Sequence, residues 1–300
     1  MLYSLTDILI QAKRFILGII LTVVGTISVF PQEEAHQYFT VEEMPNLIQI
    51  LPLPPDSTSV SFARDVMQYM WGKTQRLDIL RSSIAISDAE YSLNYMIKIF
   101  SEPFTLPISF EETPEIYRLL RDFTVTCDNV CKKIKAYYMR PRPFMVFHEQ
   151  TLTPELEDAM MVNGSYPSGH TIYGWCIALI LSEINPDCTE ALMARGYMYG
   201  ESRIIVGAHW QSDVDAGILS ASVLYMKLHT SPAFLAQMAK ARSEFIDKKD
   251  GVSSVNKLNN YINTTDGHIY NLSGYQLSRK PSKGIYVQSG KKYSYSTLTK

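Results

Sequence analysis

The sequence predicts an all-α protein, a helical bundle that carries a small β appendage at its C-terminal end. Two observations predict the bundle. Apolar residues recur at helical intervals, as in Ile116, Leu120, Phe123, Cys127, Val130, Cys131 and Ile134. Twice a Thr-Pro-Glu triplet, at Thr113-Pro114-Glu115 and Thr153-Pro154-Glu155, supplies an N-cap, a first-turn proline and a first-turn acid. A third observation predicts the appendage: beyond Phe245 the periodicity gives way to polar residues, then to short tyrosine-rich stretches between Gly and Pro turns. At 300 residues and 46% hydrophobic content, the chain can bury one substantial core. A net charge of -2, with no long basic tract, argues against a nucleic-acid-binding surface.

Residues 1–30 read as a signal peptide or N-terminal anchor. The apolar run from Phe15 to Phe30 follows Lys13 and Arg14 and precedes Pro31-Gln32-Glu33-Glu34; it is short for a membrane span and has the charged flank of an export signal. Later apolar stretches are too short or too interrupted to span, so no stable membrane insertion of the mature domain is expected. Export to the periplasm, the cell surface or the medium puts Cys127, Cys131, Cys176 and Cys188 in an oxidising compartment. Cys176 with Cys188 can clip a helix end to the next turn. Cys127 and Cys131, at helical spacing, read equally as buried thiols or a bridge, and none of the four has a zinc-ligand spacing.

Residues 31–248 form the helical domain, and three segments in it carry chemistry. The helix that starts at Thr113 delivers Lys135 near its end, after which Arg140-Pro141-Arg142-Pro143 must leave the helix. Asn163-Gly164-Ser165-Tyr166-Pro167-Ser168-Gly169-His170 is rich in turn formers and runs into the apolar stretch Ile172 to Ile184. Its backbone N–H groups at the helix start are a candidate phosphate cradle. Asn163-Gly164-Ser165 is formally a glycosylation acceptor, better read as a turn, since a glycan there blocks the pocket. The third segment, Ser202-Arg203 with His209 and Asp213, lies between helical patterns at Glu190–Tyr199 and Val214–Leu228. With a helix starting near His209, the Asp213 carboxylate can hold one imidazole N–H and turn the other nitrogen outward. Ala216, Gly217, Ser220, Ala221 and Ser222 predict a close approach to a neighbouring helix.

Three cations, two histidines and a carboxylate suit a pocket that holds a phosphate dianion and transfers it without a metal, because the cations repel a metal ion. No divalent metal and no other cofactor is expected. His36, His148, His229 and His268 read as packing or surface residues. Arg140 and Asp215 stay unassigned, Arg140 as a charge beside the site that is either accessory or merely solvated.

These segments resemble the signature of the type 2 phosphatidic acid phosphatase (PAP2) superfamily. Gly164-Ser165-Tyr166-Pro167-Ser168-Gly169-His170-Thr171 is similar to the bacterial class A non-specific acid phosphatases. The likeness extends to Leu51-Pro52-Leu53-Pro54-Pro55, Glu183-Ile184-Asn185-Pro186 and His209-Trp210-Gln211-Ser212-Asp213-Val214-Asp215, and covers roughly Tyr38 to Phe245. The resemblance implies the helical bundle shared by PAP2 proteins and vanadium haloperoxidases. It also implies a metal-independent acid phosphatase acting on small-molecule phosphate monoesters, with transfer to alcohols as a further activity. Lys135, Arg142 and Arg203 would neutralise phosphoryl oxygens, with Ser168 and the Gly169 N–H adding hydrogen bonds. His209 would be the nucleophile, oriented by Asp213, and His170 the acid and then the base. An acidic optimum is expected, because His170 must be protonated while His209 is free. The alternatives are a lipid phosphate phosphatase, a vanadium-dependent haloperoxidase and a non-catalytic surface protein. Oligomeric state is left open, with a homodimer admitted.

Residues 249–266 read as a linker and 267–300 as a small β-rich segment. Ile269-Tyr270-Asn271-Leu272-Ser273-Gly274, Gly284-Ile285-Tyr286-Val287 and Gly290-Lys291-Lys292 resemble the last part of the sorting modules of the type IX secretion route. A plain β appendage is the equal alternative.

Overall fold

The computed structural model of the protein describes residues 34–263, 269–271, 276–281, 284–288 and 291–295. The export segment at 1–30 and His268 lie outside them, as does the side chain of Cys131. The helices are α1 (Leu47–Ile50), α2 (Val60–Gln75), α3 (Ile79–Ser87), α4 (Leu93–Phe104), α5 (Pro114–Tyr138), α6 (Pro143–Phe147), α7 (Glu157–Met161), α8 (Gly169–Ile184), α9 (Thr189–Ile205), α10 (Gln211–Leu228) and α11 (Pro232–Asn263). Four short strands follow: β1 (Ile269–Tyr270), β2 (Gln276–Leu277), β3 (Gly284–Gln288) and β4 (Lys291–Tyr295). They pair antiparallel in the order β2-β1-β3-β4. The all-α bundle with a β appendage is therefore the observed architecture.

Short polar side chains start several helices. Ser59 Oγ accepts from Phe62 N, Asp78 Oδ1 from Leu80 N and Arg81 N, and Ser92 Oγ from Tyr95 N, each cap contributing about 1 kcal/mol. The start of α5 differs. Thr113 stands at the N-cap, but its hydroxyl donates to Pro107 O, and Glu244 on α11 accepts from Glu115 N and Ile116 N instead. A carboxylate from a distant helix thus satisfies those amides and complements the positive helix end. Thr153-Pro154-Glu155 opens only a 3-10 turn, Pro154–Leu156, ahead of α7.

Helix α8 is the centre of the bundle. Ile172, Tyr173, Cys176, Ile177, Ile180 and Leu181 are all fully buried, so the helix is apolar on every side rather than amphipathic. It packs on α9 and α10 and touches α4, α5 and α11. The small residues of α10 permit a close contact: a Cβ on Gly217 would sit 2.7 Å from Thr171 Cβ and 3.0 Å from Ser168 O. No side chain fits there, so α10 abuts the first turn of α8. The functional loop at that turn is fixed by helix packing.

Two expectations need correction. Residues 249–263, read as part of a linker, continue α11; Val252, Val255, Leu258 and Tyr261 keep a helical period, no proline intervenes before Pro281, and Gly251 alone costs only about 1 kcal/mol. Cys176 and Cys188 are free thiols. Cys176 lies two turns before the end of α8, about 12 Å along the axis, beyond the reach of a disulfide. Cys188 instead accepts from Asn185 Nδ2 at 3.0 Å.

Candidate active site

The three segments converge on one cavity of about 690 Å³, lined by Lys135, Arg142, Gly169, His170, Arg203 and His209 among others. Lys135 comes from the last turn of α5 and Arg203 from the last turn of α9, where the helix dipole favours a cation. Arg142 is the N-cap residue of α6, just outside the helix as the Pro141 and Pro143 flanks require. Gly169 and His170 open α8, so their N–H groups belong to an unpaired first turn. Ser168 caps this turn by accepting from Thr171 N at 3.3 Å, and it is not on the cavity wall. The Tyr166-Pro167 peptide is cis. Gly164 packs on the end of α5, where a Cβ would lie 2.5 Å from Lys135 O. Glycine is required for that approach.

Hydrogen bonds fix the protonation of His209. Arg142 Nη1, which can only donate, lies 3.1 Å from Nε2, so Nε2 holds the lone pair. Nδ1 therefore carries the proton and faces Asp213 Oδ2 at 3.3 Å. Asp213 is fully buried and also accepts from Trp210 N at 2.8 Å, from Ser165 Oγ and from Arg140 Nη1 at 2.6 Å. The expected His209–Asp213 pairing is present, although α10 starts at Gln211 and the histidine precedes it.

His170 has the opposite arrangement. Its Nε2 lies 3.0 Å from Ala89 O, and a carbonyl can only accept, so Nε2 keeps its proton and Nδ1 is the nitrogen that titrates. The Ala89 carbonyl is held by its neighbour Asp88, fully buried and bonded to Arg195, Ser202 and Tyr95. The Tyr91 ring packs edge-on against the imidazole at 4.9 Å.

The pocket's cations are anchored unequally. Arg142 donates to Met160 O, Asn163 O, Ala208 O and Gly164 O, and Lys135 Nζ to Gly164 O at 2.8 Å. Arg203 is 1% exposed, yet its Nε and Nη1 have no hydrogen-bond partner among the described residues. Burial lowers the Arg142 and Arg203 guanidinium pKa values to about 10, so both stay charged at neutral pH. Burial, followed by the fields of Arg142, Lys135 and Arg203, pushes His209 well below its ordinary value. Burial and Arg203 do the same to His170. Both imidazoles are therefore neutral in the unliganded pocket. In the free pocket burial and the Arg203 guanidinium both disfavour a charged His170.

Of the sequence-predicted site residues, Lys135, Arg142, Gly169, His170, Arg203 and His209 line the cavity, whereas Ser168 lies behind it capping the turn and Asp213 behind His209. Arg140, left unassigned from sequence, is buried and bridges Asp213 and Asp65, the latter at 2.7 Å. Asp65 on α2 in turn accepts from Ser212 N and Ser212 Oγ. Ser165 and the Ala89 carbonyl had no assigned role in the sequence reading either. Ser165 had one available signal, its place in the motif stretch, whereas Asp65 and Ala89 come from elements remote in sequence. Asp215 pairs with half-exposed Arg64 at 2.6 Å, outside this set. His148 is an exposed C-cap and His229 bonds Glu183 at 2.9 Å, away from the cavity.

A buried pocket in which three cations surround an unprotonated imidazole nitrogen, at the start of a helix, defines a protein built to hold a phosphoryl group. Comparison with known proteins agrees. Residues 123–233 match the PAP2 superfamily. A non-specific acid phosphatase of Providencia stuartii is 40% identical over 203 residues, covering 67% of this chain and 82% of the relative. One of Salmonella typhimurium is 39% identical over 222 residues, covering 74% and 88%, and an acid phosphatase of Zymomonas mobilis is 33% identical over 199 residues, covering 66% and 74%. The chain belongs to the PAP2 superfamily and, within it, to the bacterial non-specific acid phosphatases. Among the described residues no helix is long and apolar enough to cross a membrane.

Proposed function

We propose that the protein is an acid phosphatase that hydrolyses phosphate monoesters through a phosphohistidine intermediate, without a divalent metal. The observation that carries this reading is Arg203: a buried guanidinium, two of whose nitrogens lack a partner among the described residues, on the same cavity as the lone pair of His209 Nε2. Burying an ion without partners costs several kcal/mol, a cost that an incoming phosphate dianion offsets.

In the first step, His209 Nε2 attacks phosphorus while the bond to the leaving oxygen breaks, and a proton that His170 Nδ1 has taken from the monoanionic substrate passes to that oxygen. Asp213 holds the Nδ1–H and stabilises the positive ring. Lys135, Arg142, Arg203 and the N–H of Gly169 oppose the charge on the equatorial oxygens, with Ser168 fixing the turn that presents the amide. In the second step, His170 Nδ1 takes a proton from water as its oxygen attacks phosphorus. The P–N bond breaks and the electron pair returns to Nε2. An alcohol in place of water gives phosphotransfer.

The deciding experiment is rapid quenching of the full chain with a phosphorus-labelled aryl phosphate. Wild type should hold acid-labile, base-stable label, and His209→Ala should neither be labelled nor turn over. Equal turnover in the two would remove the proposal.

The reading includes export, to the periplasm or the cell surface. It is supported by Lys13 and Arg14 ahead of the apolar run from Phe15 to Phe30. Delivery by the type IX route rests on the short C-terminal resemblance alone. Fractionation of cells with an antibody against the chain tests both.

A further inference from the structure

The mouth of the cavity is apolar in a way that core packing does not explain. Val162 is 78% exposed, Met139 51% and Leu156 37%, and all three line the same cavity as the phosphate floor, together with Tyr91 and Met160. Met139 is also the C-cap of α5, at φ 40° in the left-handed region, where glycine is the usual occupant. A methionine there costs about 1–2 kcal/mol of backbone strain and sets a flexible thioether at the entrance. A phosphoryl group fills only on the order of 100 Å³, a few water volumes, of the roughly 690 Å³ enclosed. The rest of the cavity must receive the leaving group, since the ester oxygen departs from the floor toward the opening.

Resting on the phosphatase reading above, we infer that Met139, Leu156 and Val162 form a leaving-group subsite for hydrocarbon. The preferred substrates are dissolved phosphate monoesters of apolar alcohols and phenols rather than sugar phosphates. A polyhydroxylated leaving group loses water hydrogen bonds against these walls, whereas an alkyl or aryl group gains from burial. The polar lining outside the floor, Asp128, Lys132 and Asn163, is too sparse to satisfy a sugar's hydroxyls.

The test is a series of straight-chain monoalkyl phosphates from methyl to octyl, held below their aggregation concentrations, with glycerol phosphate beside them. In the full chain, kcat/KM should rise about two- to threefold per methylene, less than full burial gives, and glycerol phosphate should fall below propyl phosphate. Val162→Ser and Met139→Ser should each flatten the slope, and Val60→Ser, on exposed α2 surface, should leave it intact. A flat series, or a slope that survives both rim variants, overturns the inference. So does a rate that jumps only when the longest substrates aggregate, which would mean docking to a lipid surface. Absence of phosphate release from every member would instead sink the phosphatase reading itself.

Discussion

Arg140 donates to Asp213 at 2.6 Å, so the carboxylate that orients His209 is itself oriented by a buried cation. The same guanidinium lies 5.5 Å over the Trp210 ring and reaches Asp65 on α2 at 2.7 Å. Truncating one member of such a pair leaves its partners buried and uncompensated, which typically costs about 3–5 kcal/mol. Arg140→Ala should lose stability on that scale in urea titrations, and kcat should drop roughly 100-fold as His209 loses its alignment. Arg140→Lys, able to reach one carboxylate, should fall between. An unchanged kcat in both variants would show that Asp213 holds its position unaided.

The expected acidic optimum should have its origin in the substrate's own proton. His170 is neutral in the free pocket, because burial and Arg203 disfavour its charge. The proton for the leaving group must therefore arrive with a monoanionic substrate and pass to His170 once the dianion is seated. A phosphate monoester loses that proton near pH 6. Hence kcat/KM should fall about tenfold per pH unit above that point, and fall again at low pH where His209 is protonated. The upper limb should move down for esters of more acidic alcohols. An upper limb fixed across substrates would instead report an enzyme group.

Arg203, proposed above to bind phosphate, should be a burden on the free protein. Its pKa is lowered to about 10 by burial, and two of its nitrogens lack partners among the described residues. Arg203→Leu should leave the phosphate-free protein at least as stable as wild type, since an apolar replacement removes a desolvated charge. Inorganic phosphate should raise the melting temperature of the wild type and not that of the variant. Thermal scans with and without phosphate check both halves. A variant that is less stable when free yet still responds to phosphate would contradict the assignment.

Gly217→Ala tests whether helix packing sets the loop. The added methyl would meet Thr171 Cβ at 2.7 Å and Ser168 O at 3.0 Å, neither at the end of a flexible side chain. Overpacking of this kind costs about 1–3 kcal/mol, and the strain falls on the turn that presents Gly169. KM should rise together with the loss of stability. A rise in neither would mean that α10 can retreat from α8 freely.

The residues that bear charge or a turn signal were legible in the sequence because their chemistry is local. Pro141 and Pro143 end α5 and set Arg142 apart; Ser168 and Gly169 open α8; His209 and Asp213 lie one turn apart. What surrounds them was not legible. Arg140 looks like any surface arginine until Asp65, 75 residues earlier, is brought under it. The Ala89 carbonyl acquires meaning only when the turn after α3 meets His170 at the start of α8. Thr113 stands at the N-cap of α5 as its sequence predicts, yet the oxygen that satisfies the amides belongs to Glu244. The helical end of α11 was hidden by polar composition, which sets solvation rather than backbone conformation.

On the mechanism proposed above, the unequal treatment of the two nitrogens of His209 should make the product of the first step a single positional isomer. With Nδ1 committed to Asp213 and the lone pair confined to Nε2, the proposed covalent enzyme should carry phosphorus at Nε2 alone. Phosphorus–nitrogen coupling in a nuclear magnetic resonance spectrum of the trapped species would read out a tautomer chosen before any substrate arrives.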